Sequence, residues 1–231
     1  MASKNRPPPR RAPNIQSKLR QSNSFHILLS PTAAYAWSAD GPSQEATPQE
    51  IATYISQSTD AESTFDSLPA EQQQDFLNYV LPADESPKVD VTTTAADETA
   101  RHSVEAGNTP NAPLLATATG CWYSTAEGWV PNRYGANVLS FTLSWNWCAN
   151  GTTVTSSTYS SGTGETHILG WVYHGVIASD AIVIANTGRA FNQHSFSLNV
   201  GGWDVDSTYP CMRGYGDYIG NSSAEYACGL N

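Results

Sequence analysis

The chain has 231 residues, of which only 14% are charged, a formal net charge of −10 at pH 7 and four cysteines. That length suits one ordinary domain with additional segments better than two full domains. The acidity argues against long-range attraction to nucleic acid or anionic lipid, and no apolar run approaches the roughly 20 residues of a membrane-spanning helix.

Charge is segregated along the chain. Residues 1–20 hold six of the eleven basic residues and no acid, whereas residues 40–105 hold fourteen acids against Lys88 and Arg101. Ala34-Tyr35-Ala36 has the form of a small-residue cleavage site. Upstream of it, however, Phe25, Ile27, Leu28 and Leu29 are interrupted by His26, Ser30 and Pro31, short of the about 7–15 apolar residues of a working export signal. Residues 1–36 are therefore read two ways, as a disordered basic arm or as a degenerate signal peptide.

Residues 37–82 read as an acidic two-helix leader segment. Thr47-Pro48-Gln49-Glu50 carries a capping residue, a first-turn proline and the glutamate of a capping box. Ile51, Tyr54 and Ile55 then share a face. A second start at Pro69-Ala70-Glu71 is followed by Phe76, Leu77, Val80 and Leu81 at helical spacing until Pro82, with Phe65 and Leu68 in the connection. Two such short helices bury too little to stand alone, so docking on the rest of the chain is expected if they are formed. Residues 83–112, rich in Pro, Thr, Ala, Asp and Glu without periodicity, read as a disordered linker.

From residue 113 to 231 the pattern changes to that of an all-β domain. Leu139, Phe141, Leu143, Trp145 and Trp147 alternate with Ser140, Thr142, Ser144 and Asn146, the period of a strand with one buried face. Asn150-Gly151 is a hairpin signal, and Thr152 to Tyr159 is the returning strand. Ile168 to Ile177 and Ile182 to Ala185 are further strand-length runs, with Ser179-Asp180 as the break between them. Phe196, Leu198 and Val200 form another, ended by Gly201-Gly202. About seven short strands with regular turns predict an antiparallel β-sandwich or jelly-roll-like domain.

Cys121, Cys148, Cys211 and Cys228 all lie in this domain, and none forms a C-x-x-C pair, so disulfides are expected rather than zinc. Proximity favours Cys121–Cys148 and Cys211–Cys228, while the count alone also admits the other two pairings. Two bridges would imply an oxidising compartment and hence a secreted, extracellular protein.

Chemistry-bearing residues are sparse. There is no metalloprotease, nucleophile-elbow or catalytic-cysteine motif, and Ser195 following His194 is adjacency rather than a triad. Among the aromatics, Trp145 and Trp147 belong to the alternating strand and hence to the core. Trp203, Tyr209, Tyr215 and Tyr218, in Gly-rich irregular sequence, are the candidate ligand-binding rings. Asp204 and Asp206, two apart, join them and could form a weak calcium site, although two solvated acids beside a turn are the commoner explanation; no other cofactor is expected. Glu127, Glu165 and Glu225 supply the glutamates that a glycoside hydrolase would need.

The stretch Trp145-Asn146-Trp147-Cys148-Ala149-Asn150-Gly151-Thr152-Thr153-Val154, with Cys121-Trp122 upstream, resembles a hairpin in secreted actinobacterial β-sandwich proteins of uncharacterised function. That resemblance implies the fold and the compartment and transfers no catalytic residue. The resulting expectation is a non-catalytic module binding an extracellular glycan or another surface. A hydrolase covered by its acidic leader and a protein-binding or inhibitor module are the alternatives.

Overall fold

The computed structural model describes residues 41–83, 88–95 and 119–231. Residues 1–36, with the candidate cleavage site, and most of 83–112 lie outside the described residues. Three helices come first. Helix α1 (Pro48–Gln57) starts with the expected capping box: the Thr47 amide donates to Glu50 Oε2 at 2.8 Å, and the Glu50 amide donates to Thr47 Oγ1 at 3.3 Å. Helix α2 (Ala61–Ser67) starts at Asp60, whose Oδ1 accepts from the Ser63 amide at 3.0 Å. Helix α3 (Ala70–Val80) buries Gln72, Phe76 and Val80. The leader thus has three helices, not two; Phe65 belongs to α2 and Leu68 caps its C-terminal end.

Ten strands follow: β1 (Lys88–Ala95), β2 (Gly120–Pro131), β3 (Asn137–Asn150), β4 (Thr153–Ser161), β5 (Gly164–Thr166), β6 (Trp171–Ile184), β7 (Thr187–Val200), β8 (Trp203–Thr208), β9 (Cys211–Gly216) and β10 (Ser222–Glu225). They form two five-stranded antiparallel sheets, one in the order β1-β2-β3-β4 with β5 also on β3, the other in the order β10-β9-β7-β6 with β8 also on β7. The expected antiparallel sandwich is present. Each sheet is built around one long strand with an unbroken partner on one side and a divided strand on the other. β4 and β5 share β3, and β8 and β9 share β7.

The core lies between the sheets. Leu139, Phe141, Leu143, Trp145 and Trp147 of β3 are at most 1% exposed, as their alternation requires. They face Ala190, Phe196, Leu198 and Val200 of β7, whose burial alternates along all fourteen residues. Fully burying one such large side chain stabilises the fold by roughly 1.5–3 kcal/mol.

Three sequence expectations are corrected. Lys88–Ala95, read as part of the linker, pairs with β2 over eight positions, from Lys88↔Trp129 to Ala95↔Trp122. Its Val89 and Val91 are half-buried against the core, and the β-branched Thr92–Thr94 run suits a strand. Ser179-Asp180 is no break, because β6 continues to Ile184 and turns at Ala185 and Asn186, with φ of 50° and 61°. Asn186 compensates for that unusual turn: its Oδ1 accepts from the Val154 amide and its Nδ2 donates to the Thr152 carbonyl, both at 2.7 Å, tying one hairpin to the other. In the first hairpin Asn150 pairs with Thr153, so the loop is Gly151-Thr152, with only Gly151 at positive φ.

The disulfides are Cys121–Cys148, joining β2 to β3, and Cys211–Cys228, tying the C-terminal segment to β9. Each restricts the unfolded chain and stabilises by about 2–4 kcal/mol. Two bridges with no free cysteine among the described residues fit an oxidising environment. Among the same residues, no helix is long and apolar enough to cross a membrane.

Candidate functional site

The helical segment docks on one end of the sandwich, and this docking accounts for Trp203. Its ring centroid is 5.1 Å from that of Phe65 and 6.3 Å from that of Phe76, stacked on the latter. The Trp171 indole N–H donates to the Val80 carbonyl at 2.7 Å beside it. Trp203 is thus engaged by helical aromatics, and the sequence could not reveal this because its partners lie more than a hundred residues away.

The other expected binding residues do not converge with it. Trp203 pairs with Val200 at one end of β7, whereas Tyr215 pairs with Arg189 near the other, roughly 35 Å away at about 3.3 Å per residue. The Tyr215 ring lies between Arg189 and Arg213, whose guanidinium carbons are 5.5 and 5.8 Å from its centroid, and its hydroxyl donates to Glu225. Burial and that bond raise the Tyr215 hydroxyl, while the same bond, with Arg213, holds Glu225 below the usual carboxylate range. Tyr215 is therefore occupied by its own neighbours. Tyr209 and Tyr218 are exposed at 53% and 37%.

Asp204 and Asp206 do not form a shared carboxylate pair. A bulge in β8 sets Asp204 opposite Asn199 and Asp206 opposite Leu198. Each is bonded locally, Asp204 Oδ1 accepting from Asn199 Nδ2 at 2.7 Å and Asp206 Oδ1 from the Ser207 amide at 2.8 Å. Among the described residues no group of three or more His, Cys, Asp or Glu is placed to hold a metal ion.

The arrangement with most chemical content is the outer face of the first sheet. Strand β2 turns Trp122, Ser124, Ala126, Gly128 and Val130 inward, so Tyr123, Thr125, Glu127 and Trp129 face out. The register places Lys88, Asp90, Thr92 and Thr94 of β1 beside them on one flank, and Ser140, Thr142, Ser144 and Asn146 of β3 on the other. The hydroxyls are organised among themselves. Thr125 Oγ1 is 3.2 Å from the Tyr123 hydroxyl and 2.9 Å from Ser144 Oγ, and Ser140 Oγ is 3.0 Å from His167 Nε2. Bonds from Ser144 and Thr125 hold the Tyr123 hydroxyl below its ordinary value. A side chain whose hydroxyl reaches a residue two positions along lays its ring along the strand. Tyr123 and Trp129, both half-buried, thus stand six residues apart, roughly 20 Å at strand rise.

At the Trp129 end the face deepens into a hollow of about 360 Å³ lined by Lys88, Glu127, Trp129, Pro131, Gly135 and Asn137. Its rim is the β2–β3 connection, which buried Asn132 shapes. Asn132 Oδ1 accepts from the Tyr134 and Ala136 amides at 3.0 and 2.9 Å, and Nδ2 donates to the Tyr79 carbonyl of α3 at 2.8 Å. The Tyr134 hydroxyl donates to Asp75 at 2.8 Å. The helices therefore buttress the rim of the hollow. No protein-family model, no curated protein and no solved structure matches the chain.

The glutamates are spread over both sheets. Glu225 lies on the second sheet. On the first, Glu127 is opposite Thr142 and Glu165 opposite Ser140, two strands and two positions apart, which puts their Cα atoms roughly 12 Å from each other. Asp90 is directly opposite Glu127, but both are exposed on an open sheet face, which provides no water-excluded cleft around a scissile bond. His194 and Ser195 point to opposite faces of β7, so they form no dyad.

Tyr123 and Trp129 carried a readable signal in Tyr123-x-Thr125-x-Glu127-x-Trp129. Its complement, Trp122-x-Ser124-x-Ala126-x-Gly128-x-Val130, is also strand-like. A strand with aromatics on both faces has one set outside the core.

Proposed function

We propose that the protein is a secreted, non-catalytic glycan-binding module that takes an extended neutral polysaccharide along the outer face of its first sheet. The observation carrying this reading is the pair of half-buried rings, Tyr123 and Trp129, on the outer side of one strand with hydroxyl and carboxylate rows between and beside them. An aromatic face meets the axial C–H surface of a pyranose while neighbouring oxygens take its hydroxyls. A flat face with two rings roughly 20 Å apart suits an unbranched chain of several sugars rather than a single one. The two disulfides support maturation in an oxidising compartment, and the likeness of the Trp147-Cys148 to Thr152 hairpin to secreted actinobacterial sandwiches supports export.

The test is titration with soluble, unbranched β-linked polysaccharides, following indole fluorescence and heat. Wild-type protein binds, Trp129→Ala loses at least tenfold in affinity, and Tyr123→Ala weakens it less. Absence of binding across the panel, or equal binding by Trp129→Ala, rejects the reading. Release of reducing ends from any of these polymers would favour the hydrolase alternative instead.

A further inference from the structure

The second sheet ends at β6, the edge strand of its path, and the exposed side chains of that strand form an ordered row. Val172, Ile177 and Ile182 are 48%, 53% and 45% exposed, and His174 and Asp180 stand exposed between them. Ser179, a small residue, is the only other exposed position of the strand. Val172 and Ile182 each lie five residues from Ile177, and His174 and Asp180 each lie three from it. Counted outward from Ile177, the row therefore has the same apolar and polar sequence in both directions, with a base at one third position and an acid at the other. Two bulges produce it. The ladder with β7 skips His174 and Ile177, and bulges turn side chains out of the regular alternation. Val172, Asp180 and Ile182 pair with Ser197, Phe191 and Arg189, the positions of β7 that alternate with its buried ones, so they face away from the core. His174 faces the same way, its Nε2 lying 2.7 Å from Ser197 Oγ.

A row that mirrors itself in shape and inverts in charge is complementary to a second copy of itself turned by a two-fold axis, the symmetry of most dimers. We propose that the protein dimerises across this face, the two β6 strands antiparallel and Ile177 on the axis. Ile177 then meets Ile177 of the second copy, Val172 meets Ile182, and His174 meets Asp180, the last two contacts each occurring twice. The three half-exposed aliphatics are the apolar surface that the contact covers. The Ser197 hydroxyl fixes the His174 ring through Nε2, leaving Nδ1 to meet the carboxylate. A doubly bulged edge offers no continuous backbone ladder to a neighbour, so the contact is between side chains and closes at two copies instead of extending as a sheet. The outer face of the first sheet lies on the far side of each core, so the association leaves it open and holds whether or not that face binds glycan.

Sedimentation equilibrium of the intact protein from about 1 to about 200 µM reads the association, and the wild type should pass from monomer to dimer within that range. Ile177→Asp, at an exposed position, sets two carboxylates on the axis and should leave monomer throughout, with its circular dichroism unchanged. His174→Asp should weaken association at least tenfold, and adding Asp180→His to it should restore the affinity to within about threefold. Register is read by cross-linking with a short bismaleimide, since all four native cysteines are bridged. Ile177→Cys should join to its own copy. Val172→Cys and Ile182→Cys should each fail to join alone, like positions lying roughly 33 Å apart across the axis, and should join when the two proteins are mixed. A wild type that stays monomeric to about 200 µM overturns the proposal. A dimer that survives Ile177→Asp, or one in which Val172→Cys joins to itself, overturns it equally. A loss in His174→Asp that Asp180→His leaves unrepaired contradicts the pairing across the axis.

Discussion

Acid should weaken this fold well before its carboxylates protonate, through His194. Its ring is fully buried, facing Phe141 of β3 at 5.3 Å, Tyr173 of β6 at 5.7 Å and Phe196 of its own strand at 6.4 Å. Nδ1 lies 3.0 Å from the Tyr173 hydroxyl, and among the described residues Nε2 meets no hydrogen-bond partner in good geometry. Burial lowers its pKa from 6.5 to about 4, with the Thr142 backbone opposing that shift. The folded pKa is depressed, so the stabilising preference for neutral His194 is complete above pH 6.5. It is lost as pH falls from 6.5 towards 4. At about 1.4 kcal/mol per unit, the full loss is roughly 3 kcal/mol, of which about 2 kcal/mol should be gone by pH 5.

Urea denaturation at pH 7 and pH 5 measures this directly. The lowered carboxylates, Glu50, Asp60 and Glu225, lose their contribution only at lower pH, so they leave that interval nearly clear. His194→Leu keeps the site apolar and removes the titration. Its stability should differ between pH 7 and pH 5 by less than about 0.5 kcal/mol. If the variant shows the same fall as the wild type, burial of His194 is not the cause and the argument is wrong.

Gly220 sits at φ +91°, where an added Cβ would come within 2.3 Å of the Trp122 indole nitrogen, a fully buried ring stacked at 5.8 Å on Trp147. Gly220→Ala should therefore cost roughly 2–4 kcal/mol in chemical denaturation. Thr47→Ala removes the hydroxyl that accepts from the Glu50 amide, leaving the backbone amide of residue 47 to donate to Glu50, and should destabilise by about 1 kcal/mol. Trp203→Ala, which empties the contact with Phe65 and Phe76, should cost about 2–4 kcal/mol and release the helical segment to limited proteolysis. In conditions where it stays folded, its affinity for polysaccharide should remain within twofold of wild type.

What could be read from the sequence was whatever depends on neighbours a few residues away. The alternation in β3 identifies its core face, Thr47 to Glu50 marks the start of α1, and the spacing of the cysteines suggests the pairing found. Features decided by distant partners were hidden. β1 has only two valines to signal a strand, and it is completed by the edge of β2. β6 runs through polar Ser179 and Asp180 because β7 pairs with it throughout. Trp203 lies in Gly-rich sequence typical of a loop, yet the helices claim its ring. For the candidate site, the aromatics were all visible, but choosing among them required knowing which strand face was already filled. Asn137 and Lys88 gave no sequence signal, since one is an unremarkable asparagine before a strand and the other lies in an apparent linker.

On the proposed reading, ligand contacts the outer face of β2, away from the loops of the second sheet. Backbone and indole chemical-shift mapping during titration with a soluble, unbranched β-linked polysaccharide tests it in one experiment. The largest changes should fall on Tyr123, Thr125, Glu127 and the Trp129 indole, with Tyr209, Tyr215 and Tyr218 unmoved. Changes centred on those three tyrosines, with the Trp129 indole unaffected, would contradict it.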